Sequence, residues 1–340
     1  MSRTLLTPRP LLGRVLGIAA AAVMTLGLAS CGGGDDKKAG AAPTEITFSI
    51  LSAEGQASAG PLWQPLLDDM TKATGVTVKP FFGSNYTVLV EAMRGGQTQV
   101  GWFSAKPALE AVDRANAEVI ARTVNKEGLD SYRATLIARK DSGITLDQVL
   151  ACGKKYDFGI GDAQSTSGTL APMSFLFNPR GIVPANCFKT VRSANHQANA
   201  FSVATGVLDV ATSNSVNTVF MTRENPTMAA QIHDIWQSPP IPESGIVVSE
   251  TLPPALKEKV RTFFLSYGKG TGVEAERQRQ VLASLEYSEF RAADDGYLDP
   301  IRVMVADQKL SDAKAKGNAA AVTAAEAELQ RLRVRAEVQP

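Results

Sequence analysis

One stretch of this sequence gathers three consecutive hydroxyl side chains, Ser165, Thr166 and Ser167, just before Gly168. A short apolar strand precedes them and the pattern predicts a helix at 169–177. This arrangement could bind one compact anion, because it combines helix N–H groups, the positive end of the helix dipole and three hydroxyl donors. No Lys or Arg stands beside the triplet, unlike the Lys-bearing phosphate loop, so neutral donors would bind the anion. Ser and Thr are also ordinary helix N-caps, and the triplet alone leaves that alternative open.

Short apolar strands alternate with amphipathic helices on both sides of this stretch, which predicts β-α-β units and parallel sheets. A strand at 131–139 is expected to lead out of a first unit, and the Pro-interrupted segment 232–248 suits a second crossing. The pattern therefore predicts two α/β lobes with the chain passing out and back. The predicted limits are 44–139 for the first part of lobe 1, 140–240 for lobe 2, 241–305 for the return to lobe 1 and 306–340 for a C-terminal helix.

The C-terminal segment 311–338 is rich in Ala, Glu, Lys and Arg and predicts one helix. Its apolar residues recur at spacings of three and four, which makes a narrow stripe of the kind that packs on another helix. The stripe consists of Val322, Ala325, Leu329, Leu332 and Ala336. A helix packed on its own protein and a helix that joins two copies into a homodimer both remain open.

The N-terminus has the pattern of an export signal. Arg3, Arg9 and Arg14 precede an apolar run at 15–28, and small residues then lead to Cys31. Such a pattern is typical of a secretory signal peptide, and its ending resembles the bacterial lipobox, whose Cys carries lipid after cleavage. The run falls short of the roughly 20 apolar residues of a membrane-spanning helix.

We therefore predict a lipoprotein signal peptide at 1–30 and a flexible Gly-, Ala-, Asp- and Lys-containing tether at 31–43. The protein would be periplasmic and anchored to a membrane through lipidated Cys31. With Cys31 modified, Cys152 and Cys187 are the pair left for a disulfide bond in an oxidising compartment. Two buried free thiols are the alternative.

Composition excludes several classes of protein. The 340 residues carry 35 Lys plus Arg against 34 Asp plus Glu, for a formal net charge of +1. This balance argues against a general nucleic-acid binder, which needs a basic surplus. Two His and three Cys argue against a zinc site, and we predict no metal and no cofactor.

Several motifs, in order along the chain, closely resemble the phosphonate-binding proteins of bacterial phosphonate ABC transporters. In the first lobe they are Asn85-Tyr86, Glu91-Ala92-Met93-Arg94, Trp102-Phe103 and Ala111-Val112-Asp113-Arg114-Ala115-Asn116. Further on they are Phe158-Gly159-Ile160-Gly161-Asp162, Ser165-Thr166-Ser167-Gly168, Ala194-Asn195-His196-Gln197-Ala198-Asn199-Ala200, Asp209-Val210-Ala211-Thr212 and Trp236-Gln237-Ser238-Pro239-Pro240-Ile241-Pro242. The resemblance runs from about residue 46 to the C-terminal segment.

The resemblance implies a two-lobed, type II-like periplasmic binding protein with mixed sheets flanked by helices. Its lobes would close on a phosphonate or a related phosphorus oxyanion and deliver it to an inner-membrane permease. Carried over to this chain, the triplet at 165–167 would hold the phosphonate oxygens from the second lobe. Tyr86 and Tyr132 would donate from the first lobe, and His196 matches the pocket histidine of the family.

Two departures concern the ligand. Binders of 2-aminoethylphosphonate in this family pair the amine with two carboxylates, and this chain has Val216 and Ser244 at the matching positions. A buried ammonium without a carboxylate is costly. Either Glu243 reaches in from the adjacent position, with a solvent-facing side chain as the alternative, or the ligand has no amine. Unsubstituted or alkyl phosphonates, phosphite and phosphate are the alternatives for an amine-free ligand.

Two other classes compete with a transport protein. Ser266 and Lys269 fit the Ser-x-x-Lys pattern of some serine hydrolases, but the companion Ser-Asp-Asn and Lys-Thr-Gly motifs are absent. The sequence therefore predicts that the protein is not an enzyme. A lipoprotein that senses the ligand for a membrane kinase would share the same pocket and stays open.

Overall fold

The computed structural model of this protein describes residues 43–51 and 56–338. Cys31, the predicted signal peptide and the tether up to residue 42 lie outside these ranges. Within them, no helix combines the length and the apolar character that crossing a bilayer requires.

The described residues form two larger sheets with helices packed against them. The strands are β1 (Glu45–Ile50), β2 (Thr77–Phe82), β3 (Val100–Phe103), β4 (Ala117–Asn125), β5 (Ser131–Tyr132), β6 (Ala134–Arg139), β7 (Asp157–Ile160), β8 (Thr190–Ser193), β9 (Val210–Asn214), β10 (Ile232–Gln237), β11 (Ile241–Pro242), β12 (Gly245–Ser249) and β13 (Tyr287–Ala292). The α-helices are α1 (Gln56–Thr74), α2 (Tyr86–Arg94), α3 (Ala105–Arg114), α4 (Leu146–Leu150), α5 (Pro184–Cys187), α6 (His196–Ala204), α7 (Ser215–Glu224), α8 (Pro226–Ala229), α9 (Pro254–Ser266), α10 (Val273–Ser284), α11 (Asp299–Ala315) and α12 (Ala319–Val338). Two π-helical turns, Thr166–Leu170 and Met173–Phe177, belong to one continuous helical segment, called the π-helical segment below.

Both sheets are mixed. The first sheet has the order β13-β4-β12-β3-β1-β2, in which β1 runs parallel to β2 and β3 while β12 and β13 run antiparallel to their neighbours. The second sheet has the order β10-β6-β9-β7-β8, in which β7 runs parallel to β8 and β9 while β6 is antiparallel to β9 and β10. The prediction of mixed sheets flanked by helices is confirmed. The parallel sheets expected from the alternation of strands and helices are wrong, because each sheet also contains antiparallel strands.

The two connections between the sheets lie side by side. Strand β5 leads out of the first sheet and pairs antiparallel with β11, which leads back, with Tyr132 opposite Ile241. The strand predicted at 131–139 is therefore divided, because β6 pairs with β9 and β10 in the second sheet. This pairing favours a first crossing near Arg133 in place of the predicted limit after Arg139.

Each sheet has its own apolar core, built from the inward faces of strands and the helices that cover them. In the first core, Phe48 on β1 lies against Trp63 of α1 and Phe264 of α9, with ring centroids 5.6 and 6.2 Å apart. In the second core, Phe158 of β7 stacks on Phe188 at 4.1 Å. These aromatic contacts pack β1 and β7 against the residues that cover them.

The second core is also crosslinked. Cys152 and Cys187 form a disulfide bond with a Cα–Cα distance of 4.4 Å and a sequence separation of 35 residues. The closed loop contains β7 and the whole π-helical segment. The disulfide therefore restrains the part of the chain that carries the hydroxyl triplet.

The C-terminal helix predicted at 306–340 is wrong in its limits. The chain forms two helices, because α11 already begins at Asp299 and a turn with Gly317 at φ 64° separates it from α12. Leu329 and Leu332 of α12 are buried against Ala306 of α11. Leu329 and Leu332 of the apolar stripe thus pack on the chain's own helix α11, and a homodimer through α12 stays a prediction.

Candidate binding site

A cavity of about 50 Å³ is lined by residues from elements of both sheets and from the connection between them. Tyr86 and Trp102 come from the first-sheet side, Ser165 and His196 from the second, and Tyr132 from β5. By the volume that one water requires, a cavity of this size admits roughly four water-sized groups. It therefore suits a compact ligand of a few heavy atoms.

The hydroxyl triplet is placed by a close approach of two glycines. Gly161 N–H, just after β7, donates to Gly168 O at 3.0 Å, and a Cβ built on Gly161 would lie 2.5 Å from Gly168 Cα. Position 161 therefore has no room for a side chain, and because both residues are glycines the chain can turn tightly here from β7 into the π-helical segment. Ser165 Oγ accepts from Gly168 N–H at 2.9 Å as the N-cap, and the segment starts at Thr166, earlier than the predicted 169.

Ser167 belongs to a buried polar network. Its Oγ lies 3.1 Å from His196 Nε2, and Asn214 Nδ2 donates to it at 3.3 Å. With the Ser167 hydroxyl donating to Nε2, the ring proton of His196 sits on Nδ1, which then faces outward as a donor. Burial lowers the pKa of His196 from 6.5 to about 4, so the imidazole is neutral at pH 7.

Thr166 has a different surrounding from its two neighbours. It is fully buried, but it is not among the cavity-lining residues; its Oγ1 accepts from Lys106 N–H of α3 at 2.8 Å. Lys106 Nζ also donates to Ala163 O, and Tyr86 N–H donates to Asp162 Oδ2 at 3.3 Å. These contacts tie the starts of α2 and α3, on the first-sheet side, to the turn before the π-helical segment.

The two predicted tyrosines both line the cavity. Tyr86 is the first residue of α2, whose N-cap Asn85 accepts from Val88 N–H at 3.0 Å. Tyr132 lies in β5, at the crossing between the sheets, and is buried. The structure thus places both tyrosines in the lining of the cavity that Ser165, Ser167 and His196 also line.

Glu243 is buried beside the same cavity and does not point to solvent. Its Oε2 accepts from Thr123 Oγ1 at 3.2 Å and from Ser244 N–H at 3.1 Å, while Oε1 has no hydrogen-bond partner. Burial raises the pKa of Glu243 to about 7, against which these two hydrogen bonds act. The solvent-facing alternative for this side chain is wrong.

Buried polar atoms without a partner gather at this cavity. They are Trp102 Nε1, Ser104 Oγ, His196 Nδ1 and Glu243 Oε1, all on residues that line it. Buried polar groups are normally hydrogen-bonded, so such a cluster marks a place where a ligand completes the set. Three of the four atoms can donate, and the carboxylate oxygen accepts.

Sequence reasoning did not assign a role to Trp102, Ser104 or Asn214. Ser104 gives one local signal of a role other than capping. It stands at the N-cap position of α3, but its side chain makes no cap hydrogen bond. Of the described residues that line the cavity, none is Lys or Arg. The site therefore offers a negative ligand neutral hydrogen-bond donors and no cationic partner.

Comparison with known proteins gives this cavity its context. A family profile described as the periplasmic phosphonate substrate-binding protein of ABC transporters matches residues 48–298. The chain is 37% identical over 270 residues to the phosphonates-binding periplasmic protein of Escherichia coli K12, covering 79% of this chain and 78% of that protein. The chain belongs to this family.

Two further similarities agree with that assignment. A binding protein component of an ABC phosphonate transporter from Pseudomonas aeruginosa has a TM-score of 0.83 at 37% identity, covering 88% of this chain and 100% of that chain. The phosphate-import protein of Mycolicibacterium smegmatis is 26% identical over 264 residues, covering 72% of this chain and 79% of that protein. The prediction of a two-lobed, phosphonate-type solute-binding protein of the periplasm is confirmed.

The profile match and the site coincide. The matched range 48–298 contains every cavity-lining residue described above, from Tyr86 to Glu243. It ends just before α11, so the helical pair α11 and α12 lies outside the part that the profile describes. The cavity therefore lies within the part of the chain that the profile matches.

Proposed function

We propose that this phosphonate-binding protein holds a phosphorus oxyanion in the cavity between Ser165, Ser167 and His196 on one side and Tyr86 and Tyr132 on the other. The cluster of unpartnered buried polar atoms at the cavity carries this proposal. Tetrahedral oxyanions present several acceptor oxygens to such donors, and each charge-assisted hydrogen bond contributes roughly 1.5–3 kcal/mol. The protein would then deliver the ligand to an inner-membrane permease.

The ligand we propose has no amine. Val216 and Ser244, at the positions where amine binders of the family carry carboxylates, both line the cavity. An ammonium group there would lose its water without gaining the two anionic partners. A methyl or hydrogen substituent on phosphorus has no such cost.

Capture without a chemical step fits the arrangement of Ser167 and His196. Their contact has the geometry of a nucleophile and a base, but His196 Nδ1 has no acidic partner to orient the ring. Asn214 also donates to the Ser167 oxygen. This supports a binding role for the pair over that of a serine hydrolase.

Anchoring through lipid on Cys31 remains part of the proposal. A tether that ends at the start of β1 would hold the binding body near the permease. The sequence pattern before Cys31 supports it.

Isothermal titration calorimetry tests the proposed ligand class. The purified protein would be titrated with methylphosphonate, phosphite, phosphate and 2-aminoethylphosphonate. We expect methylphosphonate or phosphite to bind more tightly than 2-aminoethylphosphonate. Phosphate is included because the Mycolicibacterium relative is a phosphate-import protein.

Single substitutions locate the binding in the cavity. Ser165→Ala and Ser167→Ala should each weaken binding about ten- to a hundredfold, the equivalent of roughly one lost hydrogen bond to an anion. Ser142→Ala, at an exposed serine outside the cavity, is the matched control and should bind like wild type. No binding of any of the four ligands, or equal binding by all three variants, would contradict the proposal.

A further inference from the structure

Glu243 is the one carboxyl group among the described residues that line the cavity. Its two oxygens differ, because Oε2 accepts from Thr123 and from the backbone of Ser244 while Oε1 is buried without a partner. An ionised carboxylate can only accept hydrogen bonds. As a carboxylate, Oε1 requires a hydrogen-bond donor from the ligand; as a carboxylic acid, it can itself donate its proton to a ligand oxygen.

The charges around Glu243 oppose a second negative group. Asp130 and Glu127 both act on it and, together with burial, raise its pKa. Tyr297 is half-buried nearby with a buried hydroxyl group, and its pKa is raised well above the usual value, by burial first and then by Glu243. Arg122 acts on Tyr297, with its guanidinium carbon 6.0 Å from the ring centroid. The other titratable residues that line the cavity are Tyr86, Tyr132, Tyr287 and neutral His196.

A fully ionised phosphonate in this cavity would meet an ionised Glu243 with no Lys or Arg among the described lining residues. Like charges in a desolvated site are strongly unfavourable, and one proton shared between the two acids lowers the total charge of the pair from −3 to −2 and turns their closest contact into a hydrogen bond. Ligand oxygens without a proton can accept hydrogen bonds from Trp102 Nε1, Ser104 Oγ and His196 Nδ1. A ligand oxygen that carries a proton can donate a hydrogen bond to Glu243.

We propose that Glu243 and the bound ligand share a single proton, so that the site selects a singly protonated phosphonate or phosphite over tetrahedral anions that have no proton to share. This inference rests on the proposed function and names the chemical form of its ligand. The proton lies between a phosphorus-bound oxygen and Glu243 Oε1, written as P–OH with a carboxylate or as P–O⁻ with a carboxylic acid. The total charge of the pair is the same in both descriptions.

The remaining substituent of the ligand would face apolar side chains. Trp63, Val216, Phe220 and Leu285 also line the cavity. They can bury a methyl group or a P–H bond but offer nothing to a further charged oxygen. An alkylphosphonate or phosphite therefore fits both walls, whereas a sulfonate fits the apolar wall and lacks the proton.

Calorimetry in buffers of different ionisation enthalpy tests the shared proton on the wild-type protein. At pH 8.5 both Glu243 and free methylphosphonate are largely ionised, so binding should take up about one proton from the buffer. The dissociation constant of methylphosphonate should then rise about tenfold for each pH unit above pH 8.5. Glu243→Gln keeps the shape and supplies an N–H donor to the dianion, so proton uptake should disappear and the pH dependence should flatten.

Methanesulfonate serves as the matched ligand without a proton. At pH 8.5, where Glu243 is largely ionised and has no proton of its own to donate, wild type should bind it at least a hundredfold more weakly than methylphosphonate. Glu243→Gln should reduce this ratio to below tenfold. Glu250→Gln, at an exposed glutamate outside the cavity, should behave as wild type in both measurements. The wild-type measurements stand even if the Glu243 variant does not fold.

Methylphosphonate binding without proton uptake, or equal affinity of wild type for methylphosphonate and methanesulfonate, would overturn the shared proton. A wild-type preference for 2-aminoethylphosphonate without proton uptake would overturn it in favour of an ammonium paired with Glu243. In each of these cases an anion still binds, so the proposed capture of a phosphorus oxyanion survives, whereas a preference for 2-aminoethylphosphonate would reject the amine-free ligand. Failure to bind any phosphorus oxyanion at any pH would instead reject the proposed function.

Discussion

Glu243→Gln is expected to change how the stability of the ligand-free protein depends on pH. Burial, the largest cause, raises the pKa of Glu243 from its ordinary value of 4.5 to about 7. Between these two values the folded protein holds a proton that the unfolded chain has released. Stability must therefore fall as the pH rises through this window, and the loss is complete above pH 7.

The size of the effect follows from the shift. Linkage with folded and unfolded pKa values of about 7 and 4.5 gives a loss of about 2.5 kcal/mol between pH 5 and pH 8. The amide of the Glu243→Gln variant does not titrate, so that variant lacks this loss. Burial lowers the pKa of His196 to about 4, which has the opposite sign and raises stability up to about pH 6.5, but this contribution is common to both proteins.

Urea unfolding followed by circular dichroism at pH 5 and pH 8 measures the difference. Wild type should lose about 2.5 kcal/mol more than Glu243→Gln between the two pH values. A constant offset from altered packing cancels, because each protein is compared with itself. Glu250→Gln, an exposed control, should follow wild type. Equal pH dependence of wild type and Glu243→Gln would refute a buried, proton-holding Glu243.

Three further outcomes are expected. Replacing Cys152 and Cys187 with Ser should lower the free energy of unfolding by about 3–4 kcal/mol, because the crosslink closes a loop of 35 residues. Urea unfolding under oxidising conditions, compared with wild type, measures this loss. An unchanged value would show that the bond adds no stability. Thr166→Ala should weaken methylphosphonate binding about tenfold, because it removes the acceptor for Lys106 N–H, and Thr166→Ser should restore the binding. Equal affinity of wild type and both variants would show that this hydrogen bond does not support binding. Cys31→Ser should abolish lipid attachment, and mass spectrometry of the wild-type mature N-terminus would disprove the anchor if it found no lipid.

Local patterns in the sequence were enough to predict much of the second sheet and the turn that we propose to bind the anion. A strand, a glycine-bearing turn and a run of hydroxyl residues before a helix are neighbours along the chain, so their arrangement depends on short-range geometry. Ser165 indeed caps the helical segment and Ser167 indeed lines the cavity. The predicted start at 169 was too late, because the first π-helical turn already includes Thr166 and Ser167.

The strand pairing of the crossing could not be predicted in this way. Residues 131–139 have one apolar pattern, yet β5 pairs with β11 and β6 joins the second sheet. Which strands become neighbours is decided by packing across the whole sheet, and a continuous apolar run does not encode it. The same holds for the C-terminal segment, where Gly317 interrupts a composition typical of one long helix.

The sequence by itself determined the family, through motifs that occur in order, and it predicted the neutral donors of the proposed anion site. Tertiary structure alone decided how the site is completed. Thr166 meets the backbone of Lys106 across 60 residues of sequence, and Glu243 is held by Thr123 across 120. Whether such side chains bind the ligand, join the two sides or face solvent depends on contacts between distant parts of the chain, which fix burial and therefore charge.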